Sequence, residues 1–205
     1  MDLTLYRDEA YYESQRTNQL RLAAAELGYT ERAFTHYLET WEEEFRRTHG
    51  KSPSLGNALL GAFGYPIARS VELRRLAARP QDYLVSDPRL YETLALLASR
   101  YRLVLVTNNP SDVAERTLDV LGVRVWFPRI IGLEEAGHSK PHPAAFDIGY
   151  RELGLDPAHV IAVGDRYAVD LEVPLARGSG GVLVESMDDV YALPRLLERG
   201  LDAKS

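Results

Sequence analysis

Short apolar runs alternate with helical stretches through the second half of the chain, and that alternation constrains the fold more than any other feature of the sequence. LVLV occupies residues 103–106, Ile130 and Ile131 form a shorter piece, VIAV occupies 160–163 and VLV 182–184. Between them lie stretches of helical character at 88–99, 111–121 and 143–153, another before Gly178, and a last one reaching Glu198. Continuous apolar strands spaced by helices predict a parallel sheet covered on both faces. The expected class is therefore α/β, with a doubly wound parallel sheet.

The first half, to about Arg79, has a different rhythm. Phe34, Tyr37, Leu38, Trp41 and Phe45 share one face at helical spacing, with Glu39, Glu42, Glu43 and Glu44 largely off it. Leu20, Ala23, Ala24 and Leu27 form a second stripe, which Gly28 is placed to stop. Pro53 and Pro66 stand where new helices can begin. These stripes read as the core of a helix bundle, and the glutamates as its solvated face. The expected organisation is an α/β core from residues 1–7 and 80–205, with a helical cap over 8–79.

Composition narrows the chemistry. With no cysteine, disulfides, thiolate metal sites and cysteine nucleophiles are excluded. A net charge of -6 argues against a general nucleic-acid binder, although it does not bar a small anion from one pocket. No apolar run approaches the roughly 18 residues of a membrane span. The opening residues lack a signal-peptide pattern, so the cytoplasm is the expected compartment.

In an open parallel sheet, ligands sit beyond the carboxyl ends of the strands. Thr107 and Asn108 follow the first clear strand, Gly164 and Asp165 follow VIAV, and Asp170 comes five residues after Asp165. Lys140 lies between them in SKPHPAAF; the other two lysines are Lys51 and Lys204. Together these suit a phosphate site. Thr107 offers a hydroxyl, Lys140 a compact positive charge, and Asp165 and Asp170 hard oxygens of the kind Mg²⁺ prefers. His138 and His142 flank Lys140, but read as members of a solvated loop. The GSGG stretch at 178–181 follows a helix and suits a turn. Arg46, Arg47, His49 and Lys51 cluster at a helix end, where they offset its dipole.

Taken in order, TNN after LVLV, SKPHP and VGDRYAVD resemble the second, third and fourth motifs of the haloacid dehalogenase-like hydrolases, in their magnesium-dependent phosphatase branch. The resemblance covers essentially the whole chain, including a helical cap that in this family covers the site and selects the substrate. It implies that Thr107, Asn108 and Lys140 bind phosphate, and that Asp165 holds Mg²⁺ with assistance from Asp170.

The family's first motif, Asp-x-Asp-x-Thr, ends a central strand flanked by those ending at Thr107 and Asp165. Here the chain opens MDLTLYRDE. With Thr4 on the motif's threonine, Asp2 takes the place of the second aspartate, the general acid/base, and the nucleophile falls one residue before Met1. A rival register makes Asp2 the nucleophile, with Tyr6 at the threonine position and nothing at the acid/base position. The first core strand is missing in either register. Translation from an upstream start, giving a longer active protein, is the expected explanation; a short form with re-paired strands is the other.

The resemblance thus implies a phosphatase that hydrolyses a small phosphorylated metabolite through an aspartyl-phosphate, with little turnover expected from the 205 residues alone. The alternative is a phosphate-binding or scaffolding protein without catalysis, and a phosphomutase is a third possibility. Substrate identity and oligomeric state are not legible here.

Overall fold

The computed structural model describes residues 1–50 and 52–202, with side chains as far as residue 198. Lys51 and Lys204 lie outside the described residues. Two compact units result: Met1–Glu9 with Pro80–Ser205, and Ala10–Arg79.

The second unit holds helices α1 (Glu9–Leu27), α2 (Glu31–His49), α3 (Leu55–Phe63) and α4 (Ile67–Ala77). Thr30 and Ser54 cap α2 and α3 by accepting from Ala33 N–H and Asn57 N–H. Ala23, Ala24, Phe34, Leu38, Ala58, Leu59, Tyr65 and Leu73 form the core, with Leu20 and Trp41 packed against it. Phe34 and Phe63 stack with ring centroids 4.2 Å apart. Each fully buried Phe or Leu here contributes roughly 1.5–3 kcal/mol. Two members of the expected stripes face out instead, Tyr37 at 52% exposure and Leu27 at 38%. The first half of α1 buries a polar row, Tyr11, Gln15 and Gln19. The Gln19 amide donates to the main-chain oxygen and the hydroxyl of Ser70, both at 2.9 Å. Glu42 leaves the solvated face to accept on both oxygens from Arg16 Nη2.

The other unit carries the strands β1 (Val104–Val106), β2 (Arg129–Ile131), β3 (Ile161–Gly164) and β4 (Gly180–Leu183). Its helices are α5 (Pro88–Ala98), α6 (Ser111–Leu121), α7 (Leu133–Ala136), α8 (Ala144–Leu153), α9 (Glu172–Ala176) and α10 (Met187–Asp202). Asp87 caps α5 through Arg89 N–H and Leu90 N–H, with Pro88 in the first turn. Gly122 ends α6 at φ 76°, in the left-handed region that a glycine enters without strain. A single π-helical turn, Tyr167–Leu171, leads into α9.

The pairing is parallel throughout, but it forms two sheets. Val104, Leu105 and Val106 pair with Arg129, Ile130 and Ile131, and β3 pairs with β4 from Ile161–Gly180 to Gly164–Leu183. Among the described residues no ladder joins β1 to β3. α8 covers β1 and β2 through Ile131, Ala136, Ala145, Val104, Val106 and Ile148. β3 is less covered than a doubly wound sheet predicts: Ile161 is 39% exposed, Val163 36% and, on β4, Leu183 43%. Among the described residues β3 pairs with β4 on one edge and with no strand on the other, so side chains that a neighbouring strand would shield meet solvent. Gly180 and Gly181, expected in a turn, begin β4. Residues 1–6 are turns: Leu5 N–H donates to Met1 O at 2.8 Å, and Leu3 has φ 56°. No helix among the described residues is long and apolar enough to cross a membrane.

Candidate active site

The ends of β1 and β3 bring the polar residues together. Thr107 extends the β1–β2 ladder by donating from its N–H to Ile131 O at 3.0 Å. Its hydroxyl accepts from Asn109 N–H at 3.1 Å, which folds the chain into a tight turn and leaves the hydroxyl proton available. Thr107 and Asn109 are both buried.

Asn108, expected on phosphate, has its side chain on the Lys140 backbone instead. Its oxygen accepts from Lys140 N–H at 2.7 Å, and its amide donates to Lys140 O at 3.2 Å. An asparagine side chain offers the same donor–acceptor pair as a peptide group, so it satisfies both main-chain groups of Lys140. The Lys140–Pro141 peptide bond is cis.

The Lys140 ammonium donates to Val106 O at 3.0 Å and to Asp170 Oδ1 at 2.6 Å. Two of its three protons are thereby used, and among the described residues the third meets no acceptor. Asp170 Oδ2 accepts from Arg166 N–H at 3.1 Å. The pair is nearly buried, with side-chain exposures of 8% and 7%. Burial alone would raise the Asp170 pKa, but the Lys140 charge and hydrogen bond outweigh it and hold the carboxyl below its ordinary range. Gly164 lets Asp170 approach, since a Cβ there would lie 2.3 Å from Asp170 Cβ.

Asp165 accepts from the Thr4 hydroxyl at 2.7 Å on Oδ1, while Arg166 Nε stands 3.8 Å from Oδ2. Asp2 accepts from Tyr6 OH at 2.6 Å and from the Asn109 amide at 3.1 and 2.9 Å. The Met1 amino group is buried where the charges of Lys140, Asp2, Asp170 and Asp165 all act on it; burial first, and then Lys140, lower its pKa. The six residues singled out from the sequence are therefore linked at one end of the strands. Sequence reasoning missed Asn109 and Arg166, and took Thr4 only as a marker of register. Asn109 lay in plain view as the third residue of TNN.

Among the described residues no three His, Cys, Asp or Glu side chains are grouped to hold a metal. Mg²⁺ binds one or two carboxylates and keeps its waters, so it needs no such group. Asp165 fits that ion: its side chain is 8% exposed, and among the described residues Oδ2 meets no hydrogen-bond donor. Both oxygens of Asp170 are engaged. His138 and His142 stack with centroids 4.0 Å apart on the exposed face of the Lys140 loop.

A family model for haloacid dehalogenase-like hydrolases matches residues 3–175. The pyrophosphatase PpaX of Bacillus velezensis is 34% identical over 88 residues, covering 42% of this chain and 41% of the relative. The chain thus aligns with about two-fifths of that relative's length. The glyceraldehyde 3-phosphate phosphatase of Methanopyrus kandleri is 27% identical over 188 residues, covering 90% of this chain and 80% of the relative. In fold, a haloacid dehalogenase-like hydrolase from Xanthomonas campestris superposes with a TM-score of 0.61 at 23% identity, over 99% of this chain and 89% of its own. By the match of its strand-end motifs and most of its length, this chain belongs to the haloacid dehalogenase-like hydrolases.

Proposed function

We propose that this chain is a phosphatase acting on a small phosphomonoester. The observation that carries the reading is the Lys140 ammonium, held between Val106 O and Asp170 with a third proton that meets no acceptor among the described residues. At the same strand ends stands Asp165, whose Oδ2 faces only Arg166 Nε, at 3.8 Å, among those residues. An anion site next to a cation site is what a phosphoryl group with Mg²⁺ requires. The phosphatase names of the relatives from Bacillus velezensis and Methanopyrus kandleri support the same class.

Lys140 and the Thr107 hydroxyl hold the phosphoryl oxygens, and Asn108 fixes the Lys140 backbone. Asp165 holds Mg²⁺, which when bound offsets the negative charge of the phosphoryl group. With Thr4 in the motif's threonine place, the attacking carboxylate belongs immediately ahead of Met1. Its attack forms an acyl phosphate and breaks the ester P–O bond, while Asp2 gives its proton to the departing alkoxide. Asp2 then takes a proton from the water that hydrolyses the intermediate. Such acid/base help contributes about 10²–10⁴-fold.

Phosphate release from a panel of phosphorylated metabolites with Mg²⁺ tests this. The 205-residue chain is compared with one carrying an apolar segment and an aspartate ahead of Met1. Turnover is expected from the longer form and little from the shorter, with loss on Asp165→Ala. A folded longer form that hydrolyses none of the panel rejects the reading.

A further inference from the structure

Asp2 sits on a segment that no strand ladder holds. Residues 1–6 are bonded by turns, Leu3 lies at φ 56°, and Asp2 makes only an isolated bridge to Tyr6. Asn109, by contrast, has an anchored backbone: its N–H reaches the Thr107 hydroxyl, and its C=O accepts from Leu133 N–H at 3.0 Å. It is 2% exposed. Its amide lies within hydrogen-bond reach of both Asp2 oxygens, 3.1 Å from Oδ1 and 2.9 Å from Oδ2. Tyr6, buried at 4% exposure, donates to Oδ1 as well.

We propose that Asn109 is a positioning residue that sets the direction of the Asp2 carboxylate, with Tyr6 as a second strut. The inference rests on the reading of Asp2 as acid/base and adds which of its oxygens acts. Oδ1 has two donors and Oδ2 one, so Oδ2 is the oxygen left to carry the proton to the leaving group. Without Asn109 the carboxylate keeps its bond to Tyr6, four residues further along the same segment. The link to the end of β1 is then gone.

Asn109→Asp is the main test, because it keeps the side-chain shape while replacing the donor with an acceptor that repels Asp2. Asn109→Ala is its companion, and thermal melts check that both fold. Crystal structures of the wild-type chain and of Asn109→Asp give a readout that does not depend on activity. The Asp2 side chain is expected to change rotamer in the variant; a carboxylate that stays within about 0.5 Å of its wild-type place overturns the proposal. The kinetic readout, made on the longer form with an aspartate ahead of Met1, compares an alkyl phosphate with 2,4-dinitrophenyl phosphate, whose leaving group needs no proton. Both variants should lose at least about tenfold in kcat/KM on the alkyl ester, which reports the phosphoryl-transfer step, and change little in kcat/KM on the activated one. Equal losses on both substrates would assign Asn109 a merely structural role. Turnover of neither substrate by any form rejects the hydrolase reading, and the Asp2 rotamer still decides the positioning claim.

Discussion

Replacing Gly164 by alanine probes the closest approach in the site. The new Cβ would stand 2.3 Å from Asp170 Cβ, 2.8 Å from Cγ and 3.0 Å from Oδ2, against the 3.4 Å at which ordinary contact begins. Rotating the Asp170 side chain brings no relief, because its Cβ is fixed to the backbone. The π-helical turn must therefore retreat by about 1 Å, which overpacking data place at about 1–3 kcal/mol. Moving Asp170 also stretches its bonds to Lys140 and to Arg166 N–H. If that buried pair opens, the cost rises toward about 3–5 kcal/mol. We expect about 3 kcal/mol, or a fall in Tm of roughly 6–12 °C for a chain of this size. Circular dichroism melts and urea titrations measure it. The decisive control is Asp170→Gly, which removes the opposing Cβ. That change is costly by itself, so the quantity of interest is the cost of Gly164→Ala measured within it. That cost should nearly vanish, giving a coupling of at least about 2 kcal/mol. An equal cost in both backgrounds would refute the steric reasoning.

Three further outcomes follow from other contacts. Lys140→Met leaves Asp170 buried without its cation, at a cost of about 3–5 kcal/mol near neutral pH. In the native protein Lys140 depresses the Asp170 pKa, so that stabilisation is present above the unfolded value and lost as pH falls through the folded one. In the variant burial dominates and favours the neutral acid, so the urea-measured gap to wild type should narrow from pH 7 to pH 5 (roughly the range where stability peaks); a constant gap contradicts it. Tyr65 and Tyr191 are pushed up to about 12, by burial and then by hydrogen bonds to Glu26 and Asp87. Their contribution is full below the ordinary tyrosine value and is lost as pH rises through about 12. An alkaline absorbance titration should show a late step near pH 12, which Tyr65→Phe diminishes; an unchanged late step would contradict it. Gly132→Ala sets a Cβ 2.5 Å from Ser111 N and 2.6 Å from Glu134 Oε2, where the Glu134 carboxylate caps α6. We expect a loss of about 1–3 kcal/mol; an unchanged melt would show that α6 shifts freely.

Local patterns were legible in the sequence, and long-range pairing was not. Apolar runs located β1, β2 and β3 within a residue or two, and α6 fell on its expected span of 111–121. The polar row of α1 was hidden, because a buried Gln19 is betrayed only by its distant partner Ser70. Whether the strands form one sheet or two depends on contacts between segments far apart in the chain, which periodicity does not carry. The site shows the same division. Motif order placed Thr107, Lys140, Asp165 and Asp170 at the strand ends, since each follows a strand or turn that the pattern itself marks. It put Asn108 on phosphate by resemblance and left Asn109 unassigned, because an amide serves an anion, a backbone or a carboxylate equally well until its neighbours are known. Only the fold separates Asn108 on Lys140 from Asn109 on Asp2.

The separation of the β1–β2 pair from the β3–β4 pair reaches beyond topology. A continuous ladder would spread protection from hydrogen exchange across all four strands; here each pair is its own zone of amide shielding. The Lys140–Asp170 bond crosses between the two zones through side chains alone. Anything bound at once to Lys140 and Asp165 would fasten the zones together, and exchange along β3 would slow with β1. Occupancy of the site and cohesion of the sheets are then a single quantity, legible in the exchange rates of amides that touch no ligand.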